Sequence, residues 1–573
     1  MIESEPEEHY RSDTGHLESS INRPSRKLKL MLLLVMTVAF LLQLGMVSAS
    51  RFGSYYDDSI YVTAAKSLAT GEGYRIISLP QPVAQVLIPP FYPFLLSIIW
   101  RLNPHFPENL VWMMLLSVIV MMWFLWQSWR YLITNRYATH WQALAVVTLT
   151  AINWRMMSLS TGIISEVLFA ALSLAALHIA ERYGDERTTW KTGALLGLLA
   201  GLVFLTRTSG LALLASITFY YLYRRQLKRA AIPVLITLVF VVGWFGWCYL
   251  NRNSGGGEHA SYYAGYTSGI ADTIGKLQRL NGDSWSIVYM KIIETNALGL
   301  LLVWAPLQSL GLRATIPTAT LIPLILIAFS LVIFGFVREI RNGIRLLEVY
   351  CVIYLGLHLV VPGHSYERYV MPVVPLLLFF LVRELSVISS RLRAAVISRH
   401  SVFTKAAASV IGLLLIGAAG LVSYSNWTGI YHLLNDTRSR VASYQDKKTF
   451  DWIKSNTEPE SVLICFGDLK YFLYTGRKTV RSISVNILDM TVYQQGEPDA
   501  DQMANVFQNI VYQNHGDYFI LNSSDFQDQA PAYGASVEGF VSGHPEQFAL
   551  VFQSDDGGSR IYRIKRAGEP QSG

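Results

Sequence analysis

Two adjacent acids, Asp57 and Asp58, open the stretch "YYDDSIYVTAAKSLATGEGY" (55–74), which follows an apolar run. Neighbouring carboxylates can move protons, or one can cap a helix. Three more polar points interrupt apolar sequence. They are Glu166 in "SLSTGIISEVLF", Arg207 in "GLLAGLVFLTRTSGLALL", and the group His364, Glu367 and Arg368 in "PGHSYERYVMPVVP". Each has a structural alternative to chemistry. Arg207 and Arg368 suit interfacial anchoring, Glu166 suits the start of its own helix, and His364 suits a polar loop. After Asp58, Ile60, Ala64 and Leu68 recur at helical spacing with Tyr61 alongside, and Gly71 ends the run. This predicts a short amphipathic helix on the outer membrane surface, with one of the two acids as its N-cap.

The elements that must position these residues are membrane spans. Of 573 residues, 52% are hydrophobic and 15% charged, whereas soluble proteins carry about a quarter charged. Apolar stretches of about 20 residues recur, the length of a spanning helix. Spans are expected at about 30–47, 111–133, 141–157, 163–182, 191–206, 209–223, 230–250, 319–337, 346–361, 369–385 and 405–424. The total is about eleven, with room for twelve or thirteen.

Arg23, Arg26, Lys27 and Lys29 precede the first span, and the connections "TNRYATH", "ERYGDERTTWK" and "YRRQLKR" are basic. The positive-inside rule then keeps the N-terminus in the cytoplasm and puts the loops 49–110 and 251–295 outside. The acid pair, Glu166, Arg207 and Arg368 all fall on that outer side. The short apolar stretch 297–311 is read as interfacial or re-entrant, because a crossing there would expose "REIRNGIR" (338–345) on the outside. The net charge of +7 follows from these basic loops and is no nucleic-acid signal. Residues 1–28 read as a disordered cytoplasmic tail, not a cleaved signal peptide. Cys248, Cys351 and Cys465 form neither a disulfide framework nor a metal site.

Beyond residue 425 the pattern changes. "DWIKSNTEPESVLICFG" reads as helix, turn and buried strand, "ADQMANVFQNIVYQNHGDYFILN" as helix and strand, and "FALVFQSDDGGSRIYRIKR" as a hairpin. The expected architecture is an all-α polytopic membrane domain (29–425) with a C-terminal extracytoplasmic α/β domain (426–573). The protein is placed in the cell (inner) membrane.

These motifs, in this order, resemble the GT-C membrane glycosyltransferases, in the branch of the dolichyl-phosphate-mannose protein mannosyltransferases and the lipid A aminoarabinose transferases. The resemblance rests on Asp57-Asp58 after the first span, "PPFYPFLL", Ser165-Glu166, "LAGLVFLTRTSGLALL", "RYVMPVVP" and the tail sequence "DWIKSNTEPESVLICFGDLKYFLYTGR". It implies an inverting transfer of a sugar from a polyprenyl-phosphate donor to a glycan, lipid or protein acceptor, without metal or other cofactor. Asp57, with Asp58 beside it, takes the place of the catalytic acid. Arg368 and Arg207 are the candidates for the donor phosphate, and Glu166, His364 and Tyr61 for the substrate site. A phosphate leaves without a strong acid, so one carboxylate base and a cationic cradle suffice. One departure stands out: the basic residue that aminoarabinose transferases carry before Pro-Pro is Ile88 here. Two other classes compete, a transporter or flippase of a lipid-linked substrate, and a non-catalytic assembly or sensor protein. Outer-end charges and the absence of a visible internal repeat count against the transporter.

Overall fold

The computed structural model describes residues 25–183, 189–251, 285–313, 316–360, 366–397, 402–482, 500–522 and 531–565. His364, most of the 251–295 loop and nearly all of the 1–28 tail lie outside the described residues.

Helices occupy each expected span. Among the described residues seven helical segments are long and apolar enough to cross a bilayer, among them Arg26–Met46, Asn109–Thr134, Leu227–Leu250 and Thr318–Arg341. His140–Ala151 and Trp154–Ser160, bent by 63°, would make an eighth. Shorter helices fill the interior: Glu166–Tyr183, Trp190–Thr206, Leu211–Tyr223 and Leu346–Val360. This is an integral multi-pass membrane protein. The 63° break has a cause in Asn153. Its side-chain oxygen caps the backbone N–H groups of Arg155 and Met156, and its amide donates to the carbonyls of Gln308 and Ser309 at 2.6 and 3.1 Å. A buried break in a helix needs such partners.

Helices Trp190–Thr206 and Leu227–Leu250 pack closely because glycines face the contact. A Cβ on Gly197 would lie 2.9 Å from the Pro233 carbonyl oxygen, and one on Gly201 2.3 Å from the Phe240 ring. In lipid, small residues at four-residue spacing are a main route to close helix contact.

The segment that the sequence reads as interfacial is continuous helix, Trp285–Asn296, a π-helical turn Ala297–Trp304, and Ala305–Leu310. Near its start Tyr289 donates to the carbonyl of Val360, and just after its end the Arg313 N–H donates to Ser425 Oγ. Val360 leads toward Arg368, and Ser425 neighbours Asn426, which bonds Trp154. The segment's Tyr289–Leu310 stretch is one of the seven long and apolar enough to cross a bilayer, where the sequence suggests an interfacial or re-entrant piece.

The loop 49–110 is ordered throughout. It holds helix Asp57–Thr70, a two-stranded antiparallel ribbon (β1, Arg75–Ile76; β2, Val83–Ala84) and helix Phe91–Leu102. Gly71, at φ 85°, ends the first helix as its spacing predicts. Two expectations need correction. Neither acid is the N-cap, which is Tyr56; Asp57 and Asp58 occupy the first turn, where the helix dipole favours negative charge. Nor does the helix lie on a surface: residues 58–65 are all buried. Lys66, on its polar side, lies over Trp100 of helix Phe91–Leu102 and over Phe472 of the C-terminal domain.

That domain is a five-stranded mixed sheet in the order β4-β3-β5-β7-β6, with β3 Val462–Cys465, β4 Lys478–Arg481, β5 Tyr518–Asn522, β6 Phe548–Gln553 and β7 Ser559–Ile564. β3 runs parallel to β4 and β5, and β6–β7 is the expected antiparallel hairpin. The domain is bonded to the 49–110 loop. The Thr479 N–H donates to the Ser78 carbonyl and Lys478 Nζ to the Ile77 carbonyl, both at 2.8 Å. Tyr474 packs edge-on to Phe106, and Lys66 lies 4.6 Å from the Phe472 ring centre.

Candidate active site

Four elements bring one end each to a common point. Asp57 and Glu166 open their helices, Arg207 follows the last residue of Trp190–Thr206, and Arg368 lies in the short helix Tyr366–Val370. Arg368 bridges the acids: Nη2 is 2.8 Å from Asp57 Oδ2, and Nε 2.5 Å from Glu166 Oε1. Arg207 Nη1 meets the same Glu166 oxygen at 2.8 Å and also donates to Ser165 Oγ at 3.1 Å. Ser165 in turn shares a 2.7 Å hydrogen bond with the Tyr61 hydroxyl. Five sequence-predicted residues, Asp57, Tyr61, Glu166, Arg207 and Arg368, thus form one connected network, with Ser165 joining Tyr61 to Arg207.

Burial grades across the network. Glu166 is 1% exposed, Arg368 15%, Arg207 21% and Asp57 30%. Two guanidiniums balance two carboxylates, which is how charges survive at this depth. The network engages Nε and Nη2 of Arg368 and Nη1 of Arg207. Each guanidinium has five N–H donors, so both keep donors for a ligand. The buried Oε2 of Glu166 has no hydrogen-bond partner among the described residues.

Asp58 is adjacent in sequence but faces away. Its Oδ2 accepts from the Gly53 N–H at 2.8 Å and its Oδ1 from the Ser59 N–H at 2.6 Å. Burial pushes its carboxyl up to about 6, against the lowering effect of those two backbone bonds. It ties the chain before the helix to the helix start.

Tyr56 carries the strain of this corner, with φ 46° in a non-glycine residue. Its hydroxyl donates to Asp468 Oδ1 at 2.6 Å, and the Arg481 guanidinium lies 4.1 Å from its ring centre. Asp468 and Arg481 belong to the C-terminal domain, and nothing in the local sequence links them to residue 56. Tyr55 and Arg51, likewise unforeseen, both bond Ser158 Oγ, at 3.0 Å each, and brace the loop against the bent helix pair. Among the described residues no group of three or more His, Cys, Asp or Glu is arranged to hold a metal ion.

No protein-family model matches the chain, and no curated protein matches it in sequence. Solved structures do. ArnT from Cupriavidus metallidurans bound to undecaprenyl phosphate superposes with a TM-score of 0.54 at 14% identity, covering 96% of this chain and 100% of that one. The chain has the GT-C fold. The archaeal oligosaccharyltransferase AglB from Archaeoglobus fulgidus, in complex with an inhibitory peptide and a dolichol-phosphate, matches with a TM-score of 0.53 at 13% identity, over 96% of this chain and 76% of that one. Apo ArnT gives 0.51 at 13% identity, over 92% and 97%. The GT-C likeness extends through the tail: the ArnT match takes in nearly all of both chains, including the C-terminal sheet.

Proposed function

We propose that the protein is an inverting glycosyltransferase that moves a sugar from a polyprenyl-phosphate donor to an acceptor hydroxyl on the extracytoplasmic face. The observation that carries this reading is the shared arginine, Arg368, held between a partly exposed carboxylate, Asp57, and a buried one, Glu166, on a GT-C fold. The lipid phosphates bound by ArnT and AglB support the donor class. The basic connections on the opposite side support the orientation.

The roles follow from the geometry. Asp57, the more exposed acid, takes the proton of the acceptor hydroxyl as it attacks the anomeric carbon. Arg368 and Arg207 receive the phosphate and stabilise its charge as the sugar–phosphate bond breaks. Glu166 fixes both guanidiniums through Oε1, and its unpartnered Oε2 is free to accept a donor hydroxyl. Tyr61 and Ser165 hold Arg207 in place. Asp58 anchors the loop and leaves proton transfer to Asp57. An apolar groove of about 520 Å³, lined by Leu68, Tyr74, Phe94, Leu205, Trp244 and Trp247, opens next to Arg207 in sequence and suits the first isoprene units of the donor.

The test is turnover. Purified protein is incubated with a panel of short-chain polyprenyl-phosphate sugars and an acceptor extract, and released polyprenyl phosphate is measured. Release by the wild type, lost in Asp57→Asn, is expected. Release that persists in Asp57→Asn sinks the base assignment. Lipid movement between leaflets without any release sinks the enzyme.

A further inference from the structure

A second polar cavity lies at the far end of the bundle. It measures about 800 Å³ and opens between helices Asn109–Thr134, Glu166–Tyr183 and Trp190–Thr206. His178 and Arg182 line it, 12 and 16 residues beyond Glu166 on one helix. At 1.5 Å per residue they stand ~18 and ~24 Å from the charged cluster, near the opposite boundary of a ~30 Å hydrocarbon layer. Exposed tryptophans mark the same level: Trp126 lines the cavity, and Trp190 begins the third helix. Tryptophan at such a depth belongs to the head-group belt.

The lining is built to receive an anion. Arg130 and Arg182 flank the cavity, and neither has an ion-pair partner among the described residues. His178 lines the cavity with them, 7% exposed, and its Nε2 is buried without a hydrogen-bond partner among the described residues. Its Nδ1 lies 3.5 Å from Asn135 Nδ2. With Asn135 donating there, the ring proton sits on Nε2, and a buried donor is left wanting an acceptor. The one carboxylate in the lining, Glu181, is already taken: its Oε1 accepts from the hydroxyls of Tyr131 and Tyr137. Two guanidiniums and an unmatched N–H beside lipid-facing apolar surface match a phosphate on a lipid, with the acyl chains along Ile179 and Leu195.

We propose that this cavity binds the phosphate head group of an anionic phospholipid from the leaflet opposite the candidate active site. The site is separate from donor binding and does not depend on the glycosyltransferase reading.

The test is native mass spectrometry of the delipidated full-length protein in detergent, titrated with phosphatidylglycerol, phosphatidylcholine or inorganic phosphate. The wild type should prefer phosphatidylglycerol over phosphatidylcholine by about 30-fold, the gain usual for two basic residues beside anionic head groups. The double variant Arg130→Gln/Arg182→Gln should lose that preference with its thermal midpoint unchanged, since both side chains are exposed. His178→Ala should weaken phosphatidylglycerol by several-fold while leaving phosphatidylcholine unaffected. Equal binding of the two lipids by the wild type, or an unchanged preference in the double variant, overturns the proposal. Displacement of the lipid by millimolar inorganic phosphate overturns the lipid assignment and gives the site to a free anion.

Discussion

In the resting protein Arg368 is paired with Asp57 through Nη2, so a donor phosphate that binds the N–H groups Arg368 keeps free competes with that carboxylate for the guanidinium's charge. Replacing Asp57 by Asn keeps the shape, keeps a weaker acceptor for Nη2, and removes the charge. A hydrogen bond between charged groups contributes ~1.5–3 kcal/mol. Here the two side chains are 15% and 30% exposed, and solvent screening reduces the figure to ~1–2 kcal/mol. Relief of that competition should tighten binding of polyprenyl phosphate by about 5- to 30-fold. The same change removes the base and should slow transfer by about 10²- to 10⁴-fold. Binding and turnover thus move in opposite directions. Affinity is read from tryptophan fluorescence as the purified protein is titrated with polyprenyl phosphate, and turnover from single-cycle release. An Asp57→Asn protein that binds the lipid phosphate no better than wild type would refute the shared-arginine reasoning, whatever its activity.

Arg368→Ala should weaken polyprenyl phosphate binding by at least about 10-fold, the value of one charge-assisted contact; unchanged affinity takes it out of the phosphate site. Glu166→Gln strips the charge from a buried acceptor shared by two arginines, and a cost of ~2–4 kcal/mol is expected, seen as a lower thermal midpoint that added polyprenyl phosphate partly restores. Asp58 is held at about 6, above its ordinary 3.8, so the folded chain takes that proton more readily than the unfolded one. Its contribution is full below pH ~4 and is lost as pH rises through about 6. Asp58→Asn should flatten the fall of the thermal midpoint between pH 4 and 7, and parallel pH curves for the two proteins would contradict this. Gly201→Leu would drive a side chain into the Phe240 ring and should lower the midpoint by several degrees; an unshifted melt would show that the helix pair has slack.

The membrane helices and the tail strands were readable because apolar length and alternation are local properties. The span at 319–337 is matched by helix Thr318–Arg341, and "VLIC" is strand β3. Asp57, Glu166, Arg207 and Arg368 could be grouped without structure, since charges at span ends are costly and the positive-inside count puts them on one side. The environment of helix Asp57–Thr70 was misread for the opposite reason. Its polar face looks solvent-facing by period alone, whereas helix Phe91–Leu102 and a domain some 400 residues away, bonded through Tyr56 and Asp468, pack against it. The division between Asp57 and Asp58 was equally hidden. It depends on where the Gly53 and Ser59 N–H groups point, which neighbouring identical residues cannot reveal.

The distance between Tyr56 and Asp468, 412 residues, has a consequence for how the protein is made. Ribosomes extend chains at about 5–20 residues per second, so roughly 20–80 s separate synthesis of the base from synthesis of the residue that clamps its neighbour. Throughout that interval the strained Tyr56 corner lacks its hydrogen bond to Asp468, and the nascent membrane domain should be inert however well its helices have inserted. Activity would appear only when the domain that holds Asp468 has been made and docks, which makes its synthesis a condition for chemistry. Chains arrested before residue 468 should insert normally yet release no polyprenyl phosphate, and turnover by such arrested chains would show that the clamp is dispensable.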